Sequence, residues 1–152
     1  MKPVTLIAGT CALAVMLTLS TAGHAEASEK KGGVEFTMKP IGAVRKHAER
    51  TTLVLKPEFE PGLLGLGGFS HVWVLWWFDR NDTPEQRAVL QVHPRGDRKN
   101  PLTGVFATRA PVRPNLIGKT LCRIVSVTNN TVEVDRIDAF DQTPILDLKP
   151  YI

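Results

Sequence analysis

Cysteine is nearly absent: Cys11 and Cys122 are the only two in 152 residues. Cys11 falls in an apolar leading segment, so a chain without that segment keeps Cys122 alone and can form no intrachain disulfide. Cys122 sits in a strand pattern and reads as a small core residue. Long helical periodicity and internal repeats are also missing, which excludes helical bundles and solenoids. No GxSxG occurs, and no serine or cysteine motif points to His71 or His93, so a hydrolytic centre has little support. Those two histidines are far apart in sequence, and no His/Cys/Asp pair has zinc-like spacing, so no metal site is expected. Gly65, Gly67 and Gly68 do not make a dinucleotide fingerprint, because Ser70 stands where the last glycine belongs and a strand follows. His71 opens an apolar strand and reads as a hydrogen-bonded core histidine.

What is present describes one ordinary globular domain, 43% hydrophobic and 22% charged. Net charge is +4 and the sequence pI is near 9.3, a modest excess compatible with an acidic partner such as RNA. The first 27 residues stand apart. Lys2 precedes an apolar run from Val4 to Leu19, and Ala25-Glu26-Ala27 fits an A-x-A cleavage pattern ahead of Ser28. This pattern predicts a secretory signal peptide and export, to the periplasm or outside the cell, with no stable membrane anchor after cleavage. Translation from Met38 is the alternative, and it would give a cytoplasmic protein. Removing residues 1–27 takes one charge of each sign, Lys2 and Glu26, and leaves the balance unchanged.

Strand patterns dominate the remainder. Residues 28–33 are a polar linker, and Val34, Phe36 and Met38 alternate as a leading strand. Pro40 to Val44 continues it past a bulge, Arg45 to Arg50 is a polar turn, and Thr51 to Leu55 is β-branched. Pro57 starts a helical turn that Pro61-Gly62 interrupts. His71 to Phe78 is apolar on both faces, as expected of a central strand covered on both sides; the alternative is that one face lines a ligand pocket or a subunit interface. Thr83 is the expected N-cap of a short helix with Pro84 at its first position. Ala88 to Val92 reads as a strand, and His93 to Thr103 as a basic loop. Leu116 to Thr128 and Val132 to Ile137 form a hairpin about Asn129-Asn130. The fold class expected is mostly β: an antiparallel barrel-containing or sandwich-like domain with one or two short helices.

The chain is organised around Gly104 to Asn115, GVFATRAPVRPN. Val105, Phe106 and Ala107 read as a short strand delivering Arg109 and Arg113 onto a loop stiffened by Pro111 and Pro114. Arginine suits bidentate recognition of carboxylate or phosphate. The alternative is that both arginines pair with acidic residues of the same fold. With Asp79, Asn115, Asp141 and Thr143 they form a polar set suited to a small zwitterionic ligand bearing adenine and ribose. An arginine would take its carboxylate, and an acid its ribose hydroxyls or ammonium.

Four stretches, GLLGLGGFSHVWVLWWF, VHPRGD, GVFATRAPVRPNLIGKTL and DAFDQTPILDLKPYI, resemble in this order the TsaA-like family, whose characterised members are TrmO tRNA methyltransferases. The resemblance runs from about Met38 to Ile152, so residues 38–152 are taken as the TsaA-like domain and 28–37 as linker and leading strand. It implies a mostly β barrel, S-adenosyl-L-methionine as cofactor, a homodimer, and methylation of N6 of threonylcarbamoyladenosine at tRNA position 37. It places cofactor contacts on Arg109 and on the turn Asp141, Gln142, Thr143 and Pro144, with Lys119, Asp79 and Arg80 at neighbouring family positions. Arg95, Arg98, Lys99 and Arg113 are the candidate RNA contacts. No general base is assigned. The chain departs from the family pattern in lacking a PRQ-type segment between His47 and Thr51, and in having Leu116 for a proline and Gln142 for a glycine. An exported binding domain of the same fold without methyltransferase activity is the second reading.

Overall fold

The computed structural model describes residues 35–152; the expected leader, and the linker through residue 34, lie outside the described residues. The elements are β1 (Gly42–His47), β2 (Arg50–Leu55), β3 (His71–Trp77), α1 (Pro84–Arg87), β4 (Gln91–Val92), β5 (Thr103–Gly104), β6 (Ile117–Thr128), β7 (Thr131–Val134) and β8 (Pro144–Pro150). Six of the strands close into a barrel in the order β1-β2-β7-β6-β3-β8, while β4 and β5 form a separate two-stranded ribbon. Every strand pair is antiparallel. This is the expected mostly-β barrel, and α1 is the one α-helix among the described residues, with five 3-10 turns beside it.

Alternation along each strand sends one face inward. Val44, Leu53, Leu55, Val72, Val74, Trp76, Cys122, Val132, Val134 and Ile145 fill the barrel, and Ile137 and Ala139 extend the core beyond β7. β3 lies between β6 and β8, as a central strand should. Its outer face, however, is only half-buried at His71, Trp73, Leu75 and Trp77, so the strand is not covered on both sides. A closed barrel has one dry face per strand, and the outer aromatics find partial cover instead. Trp73 meets Tyr151 edge-on at 6.2 Å, and the Trp77 Nε1–H donates to Asp82 Oδ2 at 3.1 Å. His71 is on this outer face, with Nδ1 3.0 Å from Ser70 Oγ, and is not a core histidine.

Other departures have equally local reasons. Phe36 and Met38 are 84% and 51% exposed, and residues 35–40 form no strand: β2 ends at Leu55, the partner of Gly42, and offers nothing alongside them. The expected turn at Arg45–Arg50 shrinks to Ala48-Glu49, with Ala48 at φ 52°, and Arg45 to His47 stay in β1. The strand expected over Ala88–Val92 reduces to Gln91–Val92. β6 turns Gly118 and Cys122 inward and Leu121 and Val125 outward, until a register shift between Ile124 and Ser126 brings Val127 against the core. The Asn129-Asn130 hairpin forms as expected, with Asn129 at φ 51°. Thr83 caps α1, accepting from Gln86 N–H at 3.3 Å.

Cys122 is fully buried, and burial, aided by the Asp135 carboxylate, pushes its thiol up to about 12. In a Cys11→Ser background, Cys122 is therefore expected to resist aromatic disulfide reagents in the native protein and to react at once in denaturant. Prompt labelling of the native protein would contradict this packing.

Candidate ligand site

The Gly104–Asn115 stretch takes a different local form from the expected strand. Only Thr103–Gly104 pairs, as β5 with β4, and Val105–Ala107 is a 3-10 turn. With no neighbouring strand beyond Gly104, the backbone satisfies itself locally: Thr108 N–H donates to Val105 O at 3.2 Å. Val105 drops into the interior at 1% exposure while Phe106 stands out at 81%. The following loop is tied at several points. Arg113 Nη2 donates to Val105 O at 3.0 Å, and Ala110 N–H donates to Thr108 Oγ1 at 3.3 Å. Arg87 Nη1 donates to Pro114 O at 3.2 Å, while Arg87 Nε grips Asp82 Oδ1 at 2.8 Å. That bond, with the one from Trp77, holds the Asp82 carboxyl below its ordinary value.

This tethered loop walls one side of a cavity of 570 Å³. Trp73, Trp76, Phe78 and Phe140 give it aromatic surface. Lys46, Arg80, Arg109, Arg113 and Lys119 line it against two carboxylates, Asp79 and Asp138. The excess of cations favours an anionic group, and the aromatic walls favour a flat ring beside it. Most of the cations are already engaged. Lys119 Nζ lies 3.7 Å above the Trp73 ring, Arg80 stacks 3.9 Å from the Phe140 centroid, and Lys46 Nζ donates to Ile137 O at 3.1 Å. Arg109 has no side-chain hydrogen bond or ion pair among the described residues. The ion pairs there are Arg87–Asp82 and Lys149–Asp147, so neither Arg109 nor Arg113 is neutralised by an acid of the fold.

Two features shape the cavity floor and rim. A Cβ on Gly118 would lie 2.5 Å from the Trp76 ring, so the bare backbone of β6 is what lets that indole settle. Trp76 Nε1–H then donates to Thr120 Oγ1 at 3.1 Å. At the rim, the 141–144 turn docks on β1. Asp141 Oδ1 accepts from Lys46 N–H at 2.8 Å, and Val44 N–H donates to Thr143 O at 2.9 Å. The Lys46 bond, ahead of the Gln142 side chain and nearby Arg45, holds the Asp141 carboxyl below its ordinary value. Gln142 has φ 71°, the left-handed conformation glycine adopts most easily.

Of the residues expected to meet a cofactor, Asp79, Arg80, Arg109, Lys119 and Thr143 line this one cavity. Asp141, Gln142 and Pro144 do not line it; they build the turn that presents Thr143. Arg113 joins the cavity, whereas Arg95 and Arg98 line an adjoining groove and Lys99 lines neither. Lys46, Asn81, Asp138 and Phe140 were not foreseen. Asp138 and Phe140 belong to the DAFDQTP stretch, whose whole length was the available signal; Lys46 carried none.

The geometry is that of an aromatic-walled cavity, rich in cations, on an antiparallel barrel. Residues 34–152 match the family model described as tRNA-methyltransferase O N-terminal domain, and the chain belongs to that family. It is 48% identical over 114 residues to a probable S-adenosyl-L-methionine-binding protein of Methanocaldococcus jannaschii, covering 75% of this chain and 90% of that protein. It is 44% identical over 93 residues to the mouse tRNA (adenine(37)-N6)-methyltransferase, covering 61% of this chain and 21% of that one. The crystal structure of TrmO from Pseudomonas aeruginosa superposes with a TM-score of 0.60 at 31% identity, over 78% of this chain and 57% of that chain. The chain thus spans just over half the length of that solved structure.

The Asp141 tether sets an acid limit. Its folded pKa lies below the ordinary 3.8, so its stabilisation is whole above that value and is lost as pH falls through the depressed one. Asp141→Asn is expected to lower the melting temperature near neutrality and to flatten its fall between about pH 5 and about pH 2, followed by thermal denaturation. Parallel acid limbs for the two proteins would remove the tether as their cause.

Proposed function

We propose that the cavity binds S-adenosyl-L-methionine and that the chain methylates N6 of threonylcarbamoyladenosine at position 37 of tRNA. One observation carries the reading: an uncommitted guanidinium, Arg109, stands in an aromatic-walled cavity of a chain belonging to this family. The donor set suits the cofactor. Arg109 is free for its carboxylate, Asp79 and Asp138 for its ammonium or ribose hydroxyls, and the aromatic side chains for its adenine. When bound, S-adenosylmethionine supplies an electrophilic methyl group. The chain's own part is alignment, with the Gly118–Trp76 floor and the tethered 104–115 loop holding fixed positions around the reacting groups. The loop from His93 to Thr103, with Arg95, Arg98 and Lys99, faces the RNA.

Isothermal titration with S-adenosylmethionine, together with methyl transfer to tRNA with and without the threonylcarbamoyl group, tests this. Arg109→Ala is expected to weaken cofactor binding about tenfold or more, the loss of one charge-assisted hydrogen-bonded pair. Absence of binding heat at millimolar cofactor would remove the reading.

Residues 1–27 favour a second reading, an exported domain that binds the ligand without transferring methyl groups. Cell fractionation with mass spectrometry of the protein's N-terminus separates the two: a start at Ser28 outside the cytoplasm supports export, and a start at Met1 or Met38 in the cytosol opposes it. A homodimer is part of the proposal as well, supported by the exposed Leu121 and Val125 on the outer face of β6. Light scattering on the same sample reads it directly.

A further inference from the structure

The cavity is charged at its mouth and neutral at its floor. Every charged residue lining it is exposed except Arg113, which is half-buried and tied to Val105 O. At the mouth, Arg109 and Pro111 line both the cavity and the adjoining groove, so the two hollows share a wall. At the floor, Trp76 and Gly118 are buried and Thr120 is half-buried. Thr120 is the register partner of Val74, which is fully buried, and its side chain follows Gly118 along the inner face of β6. A hydroxyl therefore stands at the aromatic floor, beside the corner where the Trp76 and Phe78 rings meet at 63°.

The polarity of this hydroxyl is set by its neighbour. An indole N–H can only donate, so the Thr120 oxygen, 3.1 Å from Trp76 Nε1, must accept. Its own proton is left over, and among the described residues the Thr120 O–H donates to no protein acceptor. The bond it accepts polarises the hydroxyl and strengthens it as a donor. Gly118 makes the arrangement possible, because a Cβ there would lie 2.5 Å from the indole and push it off Thr120.

A neutral donor in this corner matches a neutral acceptor. A carboxylate or phosphate brought here would be stripped of water away from the exposed cations. A flat heterocycle carries no such cost: its faces fill the aromatic corner, and a lone pair in its plane meets the hydroxyl. We infer that Thr120 donates a hydrogen bond to a ring nitrogen of the bound adenine, with Trp76 as the positioning residue that directs the hydroxyl. The inference rests on the cofactor reading proposed above and names the residue that discriminates adenine from a ring with C–H or N–H at that place.

Isothermal titration of the full chain tests it with S-adenosylhomocysteine and three counterparts in which C–H replaces the ring nitrogen N1, N3 or N7. Wild type is expected to bind one counterpart about tenfold more weakly than the parent, because the hydroxyl then faces C–H. Thr120→Val keeps the side-chain shape and should bind the parent and that counterpart alike. Thr120→Ser returns the hydroxyl and should return the discrimination, with melting curves recorded for both variants. A Thr120 that only braced the indole would, when replaced by Val, weaken all four ligands by one factor and leave the discrimination in place; that result overturns the inference. Equal binding of all four ligands by wild type overturns it without any variant, and leaves the cofactor reading standing. Failure of wild type to bind any of the four at millimolar concentration would remove both together.

Discussion

A missing side chain at one position of β6 underlies the site. Gly118 sits opposite Trp76 on β3 in the longest continuous strand pairing of the barrel, and the indole occupies the room a Cβ would need. From this contact follow the hydrogen bond to Thr120, the floor of the cavity and the position of Phe78, whose ring meets Trp76 at 4.5 Å. Phe78 N–H in turn donates to Leu116 O at 2.8 Å, fixing where the 104–115 loop rejoins the barrel. The floor of the candidate cavity is therefore an extension of core packing.

Around that floor, the loops are secured by hydrogen bonds to backbone carbonyls more than by ion pairs. Arg113 holds Val105, Arg87 holds Pro114 and Lys46 holds Ile137. Each uses a cation as a brace. What remains is a small set of charges with work left to do, and Arg109 is the clearest of them. Such division is favourable in a half-open site, where an exposed ion pair adds little stability but a braced loop limits the freedom lost on binding.

Much of the barrel was legible because its residues obey period-2 alternation within tight turns. β2, β3, β6 and the Asn129-Asn130 hairpin lie where the pattern puts them. What misled was composition without a partner. Phe36 and Met38 have the right alternation, but β2 ends at Leu55 opposite Gly42 and leaves them no partner, and Val105 to Ala107 have no strand beside them. The lining of the candidate cavity was legible by residue type at Arg109, Asp79 and Thr143. It was illegible at Lys46, which enters only because the barrel closes and brings β1 alongside the 141–144 turn. Asp141, in the polar set read from the sequence, accepts the Lys46 N–H with Oδ1 and so ties the 141–144 turn to β1.

The partition made by Arg109 and Pro111 has one more consequence. A ligand on one side that displaces this wall alters the free energy of occupying the other side, and thermodynamic reciprocity makes the effect equal in both directions. The coupling would be read in equilibrium affinities: each occupant's dissociation constant would change by one shared factor when the other is present.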